Sequence, residues 1–107
     1  MQTYAAVERR QSARCPVDLW VDELHQGAVY SQRATDLTLG GAFLDNRAPH
    51  APGARVSLTF RLLDGEGALR VEAEVVDHFS DRGTFVRFVD LTRPQRVRLA
   101  NFLLATR

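Results

Sequence analysis

Two neighbouring stretches of this 107-residue chain alternate apolar and polar residues with period two, a pattern that buries one side of an extended ribbon but not one side of a helix. In Arg55 to Leu62, Val56, Leu58, Phe60 and Leu62 face one way while Arg55, Ser57, Thr59 and Arg61 face the other. From Leu69 to Val75, Leu69, Val71, Ala73 and Val75 oppose Arg70, Glu72 and Glu74. Asp64-Gly65-Glu66-Gly67 between them has the chemistry of a hairpin turn. A register with Leu62 against Leu69 also sets Phe60 against Val71, Leu58 against Ala73 and Val56 against Val75, so every inward pair is apolar. A slip of one residue would turn the whole set to solvent.

The same reading extends in both directions. Upstream, Val17, Leu19 and Val21 alternate with Asp18 and Asp22, and His25-Gln26-Gly27 can turn the chain into a strand over Ala28 to Thr35. Asp36 to Gly41 interrupts, Ala42 to Leu44 resumes extended character, and Pro49-His50-Ala51-Pro52-Gly53 forbids regular structure because two prolines lack backbone donors. Downstream, Thr84-Phe85-Val86-Arg87-Phe88-Val89 is rich in aromatic and β-branched residues and reads as the last of about six strands. The period then changes. Thr92 with Gln95 forms a capping box, Pro94 suits a first helical turn, and Leu99, Phe102, Leu103 and Thr106 share one helical face. Short strands closed by one helix predict a mainly β fold: a small six-stranded antiparallel barrel over 15–89, with a C-terminal α-helix over 92–106 covering one end or seam.

A chain of this size, 45% hydrophobic and 25% charged, suits one compact domain over residues 1–107. The longest stretch free of Asp, Glu, Lys and Arg, Leu24 to Gln32, is far short of the ~20 apolar residues that span a bilayer. With no apolar leader at Met1 and a single cysteine, Cys15, the sequence reads as that of a cytoplasmic protein without an internal disulfide. All 14 basic residues are arginine, yet net charge is only +1, a poor balance for binding nucleic acid non-specifically. Positive charge gathers at the ends, in Glu8 to Arg14 and Arg93 to Arg107, while Asp64 to Asp81 is acidic. His25, His50 and His78 lie in or near turns at no metal-ligand spacing and read as surface residues. Asp77, His78 and Ser80 have the residue types of a hydrolytic triad, but chain neighbours in an extended strand point to opposite faces, so neither a metal nor an enzyme activity is expected. Cys15 reads as a small buried hydrophobe beside Val17, and Trp20 falls on the polar face of its strand, where it can cover an open end or touch a partner.

Two short motifs remain. Arg10-Gln11-Ser12-Ala13-Arg14 is an RxxxR segment preceded by Arg9, and Asp36-Leu37-Thr38-Leu39-Gly40-Gly41 fits a [D/N]-x-[S/T]-x-x-G pattern. In this order, around six strands and a closing helix, they resemble the PilZ domain, a bacterial barrel module whose typical activity is binding the second messenger cyclic di-GMP. The resemblance covers nearly the whole chain, including Gly53-Ala54-Arg55-Val56 and Gly83 ahead of Val86-Arg87-Phe88-Val89. It implies a PilZ-type β-barrel and a ligand site of Arg9, Arg10, Arg14, Asp36, Thr38, Gly40 and Gly41, with threonine where the family most often has serine.

The chemistry of these residues agrees with that ligand. Cyclic di-GMP presents two phosphate charges and two guanines. An arginine fork can donate two parallel hydrogen bonds to guanine O6 and N7 and can stack its plane on a base. A carboxylate such as Asp36 accepts from guanine N1–H and N2–H, Thr38 offers a hydroxyl, and Gly41 lets backbone approach the ligand. Asp36 and Thr38, two apart, share one side of an extended chain. The resulting expectation is a receptor without a cofactor, whose N-terminal segment 1–14 stays mobile until ligand neutralises it and then presents an altered surface to a downstream protein partner. The alternative is a PilZ-like interaction module that binds no nucleotide. An oligonucleotide-binding barrel fits less well, with few aromatics exposed to stack bases.

Overall fold

A computed structural model of the chain describes residues 15–45, 50–81 and 83–106; Arg9, Arg10 and Arg14 lie outside the described residues. Six strands, β1 (Cys15–His25), β2 (Ala28–Leu37), β3 (Gly41–Leu44), β4 (Arg55–Phe60), β5 (Leu69–Phe79) and β6 (Gly83–Val89), precede helix α1 (Arg93–Ala105). They close into a barrel in the order β1-β2-β3-β6-β5-β4, with every pairing antiparallel. Closure gives every strand a neighbour on both sides. Gln26 and Gly27 connect β1 to β2 in two residues, both at positive φ (51° and 82°), the geometry whose twist suits a tight hairpin.

The interior follows the alternation. Val21, Ala34, Leu37, Leu44, Leu58, Phe60, Ala73 and Val86 are fully enclosed. The β4–β5 register is two residues from the one read in the sequence: Phe60 pairs with Leu69, Leu58 with Val71 and Val56 with Ala73. A two-residue slip keeps every side chain on its face, so the hydrophobic pattern alone cannot distinguish the two registers. The turn at Leu63, exposed and at φ 59°, ends β4 early, while Leu62 still reaches the core from outside the strand.

Helix α1 starts as its sequence dictates. The Thr92 hydroxyl accepts from Gln95 N, and the Gln95 side chain accepts from Thr92 N. Leu99 is enclosed, with Phe102, Leu103 and Leu91 packed round the same core. Gln95 also donates to the Arg70 carbonyl. Arg98 fixes the helix to the β4–β5 loop: Nε and Nη2 donate to the two Asp64 oxygens at 2.9 and 2.7 Å, and Nη1 reaches the Ala68 carbonyl. Hydrogen bonding from Arg98 holds the Asp64 carboxyl at about 2, below its ordinary 3.8. The folded state therefore prefers the ionised carboxylate, and the stability this adds is complete above about pH 5 and lost as pH falls through 2. Asp64→Asn is expected to lower the melting temperature by a constant margin above about pH 5, a margin that shrinks steadily in parallel melting curves as the pH is lowered toward 2.

The opposite end of the barrel is polar. Glu23 on β1 is buried at 1% exposure, accepting from Gln32 Nε2, and its second oxygen lies 3.4 Å from His50 Nε2. The His50 ring sits 3.9 Å from that of His25, whose Nδ1 is 3.1 Å from the Arg55 carbonyl. His50 is therefore no free surface residue: it covers a buried carboxylate, a long-range contact invisible in residue spacing. Cys15 is half-buried, its Sγ 3.2 Å from Thr106 Oγ1 at the end of α1. Trp20 faces outward with the Arg33 guanidinium 4.3 Å above its ring, and Arg33 in turn pairs with Asp18. Among the described residues no helix is long and apolar enough to cross a membrane.

Candidate functional site

The second motif folds as the end of β2, a turn, and the start of β3. Register shifts between Ala34 and Asp36, a bulge that puts two residues of β2 against one of β3. Ala34 pairs inward with Leu44 and Leu37 pairs inward with Ala42, which leaves Asp36 and its partner Phe43 on the outer face. Asp36 is half-buried there, and Pro16 of β1 flanks it on the other side. The chain that carries the arginine motif joins the barrel one pairing away, where Cys15 lies opposite Leu37. The first described residue, Cys15, thus lies beside the start of the second motif.

Thr38 behaves differently from the extended-chain expectation. β2 ends at Leu37, and Thr38 turns in to 6% exposure. Its hydroxyl accepts from Gly40 N at 3.0 Å and Gly41 N at 2.9 Å and donates to the Gly41 carbonyl at 3.2 Å, while Thr38 N donates to the same carbonyl at 2.9 Å. One donor and two acceptor sites are the capacity of a hydroxyl, so Thr38 shapes the turn from inside. Serine would supply the same three bonds.

The two glycines serve unlike purposes. A Cβ on Gly41 would sit 2.2 Å from the Val86 carbonyl oxygen and 3.0 Å from the Phe85 ring, so glycine is required by the close approach of β3 to β6. Gly40 is exposed, a Cβ there would meet only Thr38 Oγ1 at 3.9 Å, and its carbonyl accepts from Phe88 N. The open side of the turn is therefore at Gly40.

Beyond Asp36 the outer face carries an aromatic cluster that the sequence reading passed over. Phe43 is 5.1 Å from Phe85 and 5.9 Å from Phe79, centroid to centroid. The signal was present in the parity of β6: with Thr84, Val86 and Phe88 inward, Phe85 must face out. Further along the same face, Arg87 pairs with Glu74, and Ser57 donates to Glu72. Among the described residues no group of three or more His, Cys, Asp or Glu side chains is arranged to hold a metal ion.

A closed six-stranded antiparallel barrel with a helix at one end and a bulged Asp-x-Thr-x-x-Gly turn on its outer face defines a narrow structural class. The family model of the PilZ domain matches residues 8–105, and the chain belongs to the PilZ domain family. Solved structures agree on the fold. The PilZ domain of YcgR from Escherichia coli, solved with c-di-GMP, superposes with a TM-score of 0.69 at 18% identity, over 92% of this chain and 91% of that one. The PilZ domain of CeSA from a cellulose-synthesizing bacterium gives 0.70 at 20% identity, over 88% and 97%. The Bacillus subtilis inhibitor of motility MotI/DgrA gives 0.75 at 18% identity over 91% of this chain, which spans half the length of that protein. No curated protein matches the sequence significantly.

Proposed function

We propose that this chain is a receptor for cyclic di-GMP. Arg9, Arg10 and Arg14 supply guanidinium planes and phosphate donors, Asp36 accepts from a guanine edge, and the Gly40 side of the turn admits the ligand. Thr38 and Gly41 hold that turn in shape. The observation that carries this reading is positional: β1 begins at Cys15, across from Leu37 and next to Pro16, the partner of Asp36, which supports an arginine segment that reaches the outer face of the second motif from the residues preceding Cys15 in the sequence. The family match spans both motifs, and the YcgR domain and the Borreliella burgdorferi PlzA protein were solved with c-di-GMP. Two phosphates meeting three arginines make charge-assisted hydrogen bonds, roughly twice as strong as neutral ones. Charge neutralisation of that segment orders it against the barrel, and the ordered surface is what a downstream protein partner reads.

Thermal melting tests the proposal. Cyclic di-GMP at 100 times its dissociation constant stabilises the folded state by ~2.7 kcal/mol, a rise of roughly 10 °C for a domain of this size. GMP at equal concentration is expected to give none. An unchanged melting temperature at millimolar cyclic di-GMP would overturn the receptor reading and leave a protein-interaction module.

A further inference from the structure

On the outside of a small barrel, side chains are expected to be polar, and most here are: Arg70, Glu72, Glu74 and Arg87 face out from β5 and β6. One apolar stretch of that surface begins at a bulge. Register between β5 and β6 shifts between Val75 and Asp77, which re-aims β5 so that Asp77 lies opposite Phe85 and Phe79 opposite Gly83. Phe79, Phe85 and Phe43 then form an apolar ledge across β5, β6 and β3, outside the barrel core.

Three features make this ledge a binding surface. Phe43 is the direct cross-strand partner of Asp36, so their β-carbons are about 5 Å apart, and the Phe85 ring lies against the Gly41 backbone. The rings are tilted to Phe43 by 47° and 51° and are not stacked face on face. Phe79, at the outer end, is 40% exposed, whereas Phe43 beneath is 8% exposed and acts as the prop. An exposed aromatic face beside a carboxylate suits a flat heterocycle whose polar edge meets the carboxylate.

Resting on the receptor reading above, we propose that the ledge of Phe79 and Phe85, propped by Phe43, is the stacking wall for a purine of the bound dinucleotide. Stacking and edge recognition are then divided between neighbouring residues. The ledge contributes affinity for any purine, because every base has a π-face, and Asp36 contributes the preference for guanine.

Titration calorimetry with cyclic di-GMP on the full chain and on Phe79→Ala, Phe79→Leu and Phe79→Trp tests this, with melting curves run on each. Phe79→Ala and Phe79→Leu are both expected to weaken binding about tenfold or more, and Phe79→Trp to restore it, with melting temperatures of the free proteins close to the parent's. Leucine keeps apolar bulk but lacks a ring face, so full affinity in Phe79→Leu would overturn the stacking role. Parental affinity in Phe79→Ala would overturn the ledge altogether while leaving the receptor intact. Absence of binding by the parent chain would instead overturn the receptor reading, and the ledge proposal with it.

Discussion

Gly41→Ala is expected to be among the most damaging single-methyl additions this chain can suffer, for a reason independent of any ligand. A Cβ at that position falls 2.2 Å from the Val86 carbonyl oxygen, a backbone atom that can yield only if β6 moves. β3 is four residues long and pairs with β6 along its whole length, from Gly41 opposite Arg87 to Leu44 opposite Thr84, so displacing one end disturbs every pairing that joins the β1-β2 hairpin to β6. Overpacking of this kind costs about 3 kcal/mol or more, which in a domain this small lowers the melting temperature by roughly 10 °C or more. Gly40→Ala, one residue away and open to solvent, is expected to melt within about 2 °C of the parent. Circular dichroism melts of the pair decide the matter: equal melting temperatures would show that the strands do not approach so closely.

Arg14→Ala is the counterpart, expected to abolish ligand binding while leaving the fold untouched. The residue directly precedes Cys15, where β1 begins opposite Leu37, so of the three motif arginines it is the nearest in sequence to the barrel. A fork bound bidentately to guanine discriminates by roughly 1–3 kcal/mol, and a phosphate left without its cation adds to that. Binding at least a hundredfold weaker is expected, with an unaltered melting temperature for the free protein. Parental affinity in this variant would remove Arg14 from the site.

The strand pattern was largely legible because period-two alternation is a local signal: Val56, Leu58 and Phe60 announced their own orientation, and Thr92 with Gln95 announced the helix start. Registers were less so. Leu62 reads as the end of β4, yet the backbone turns at Leu63, and nothing in the alternation separates registers two residues apart. Within the site, Asp36 and the turn were legible as types, but the work of Thr38 and Gly41 was not. Their partners are Gly40 and Gly41 amides in one case and the Val86 carbonyl in the other, contacts fixed by the turn and by strand closure. The same reason hid the Glu23–His50 contact and the phenylalanine ledge, since each joins elements far apart in the chain.

The receptor assignment is tested most directly by titrating the protein with cyclic di-GMP in a calorimeter, with GMP and cyclic di-AMP as controls. Saturable binding at micromolar concentration or tighter, selective for the guanine dinucleotide, is the expected result and gives the stoichiometry at once. No heat with cyclic di-GMP at millimolar concentration, or equal binding of cyclic di-AMP, would contradict a guanine-reading site built from Arg9, Arg10, Arg14 and Asp36.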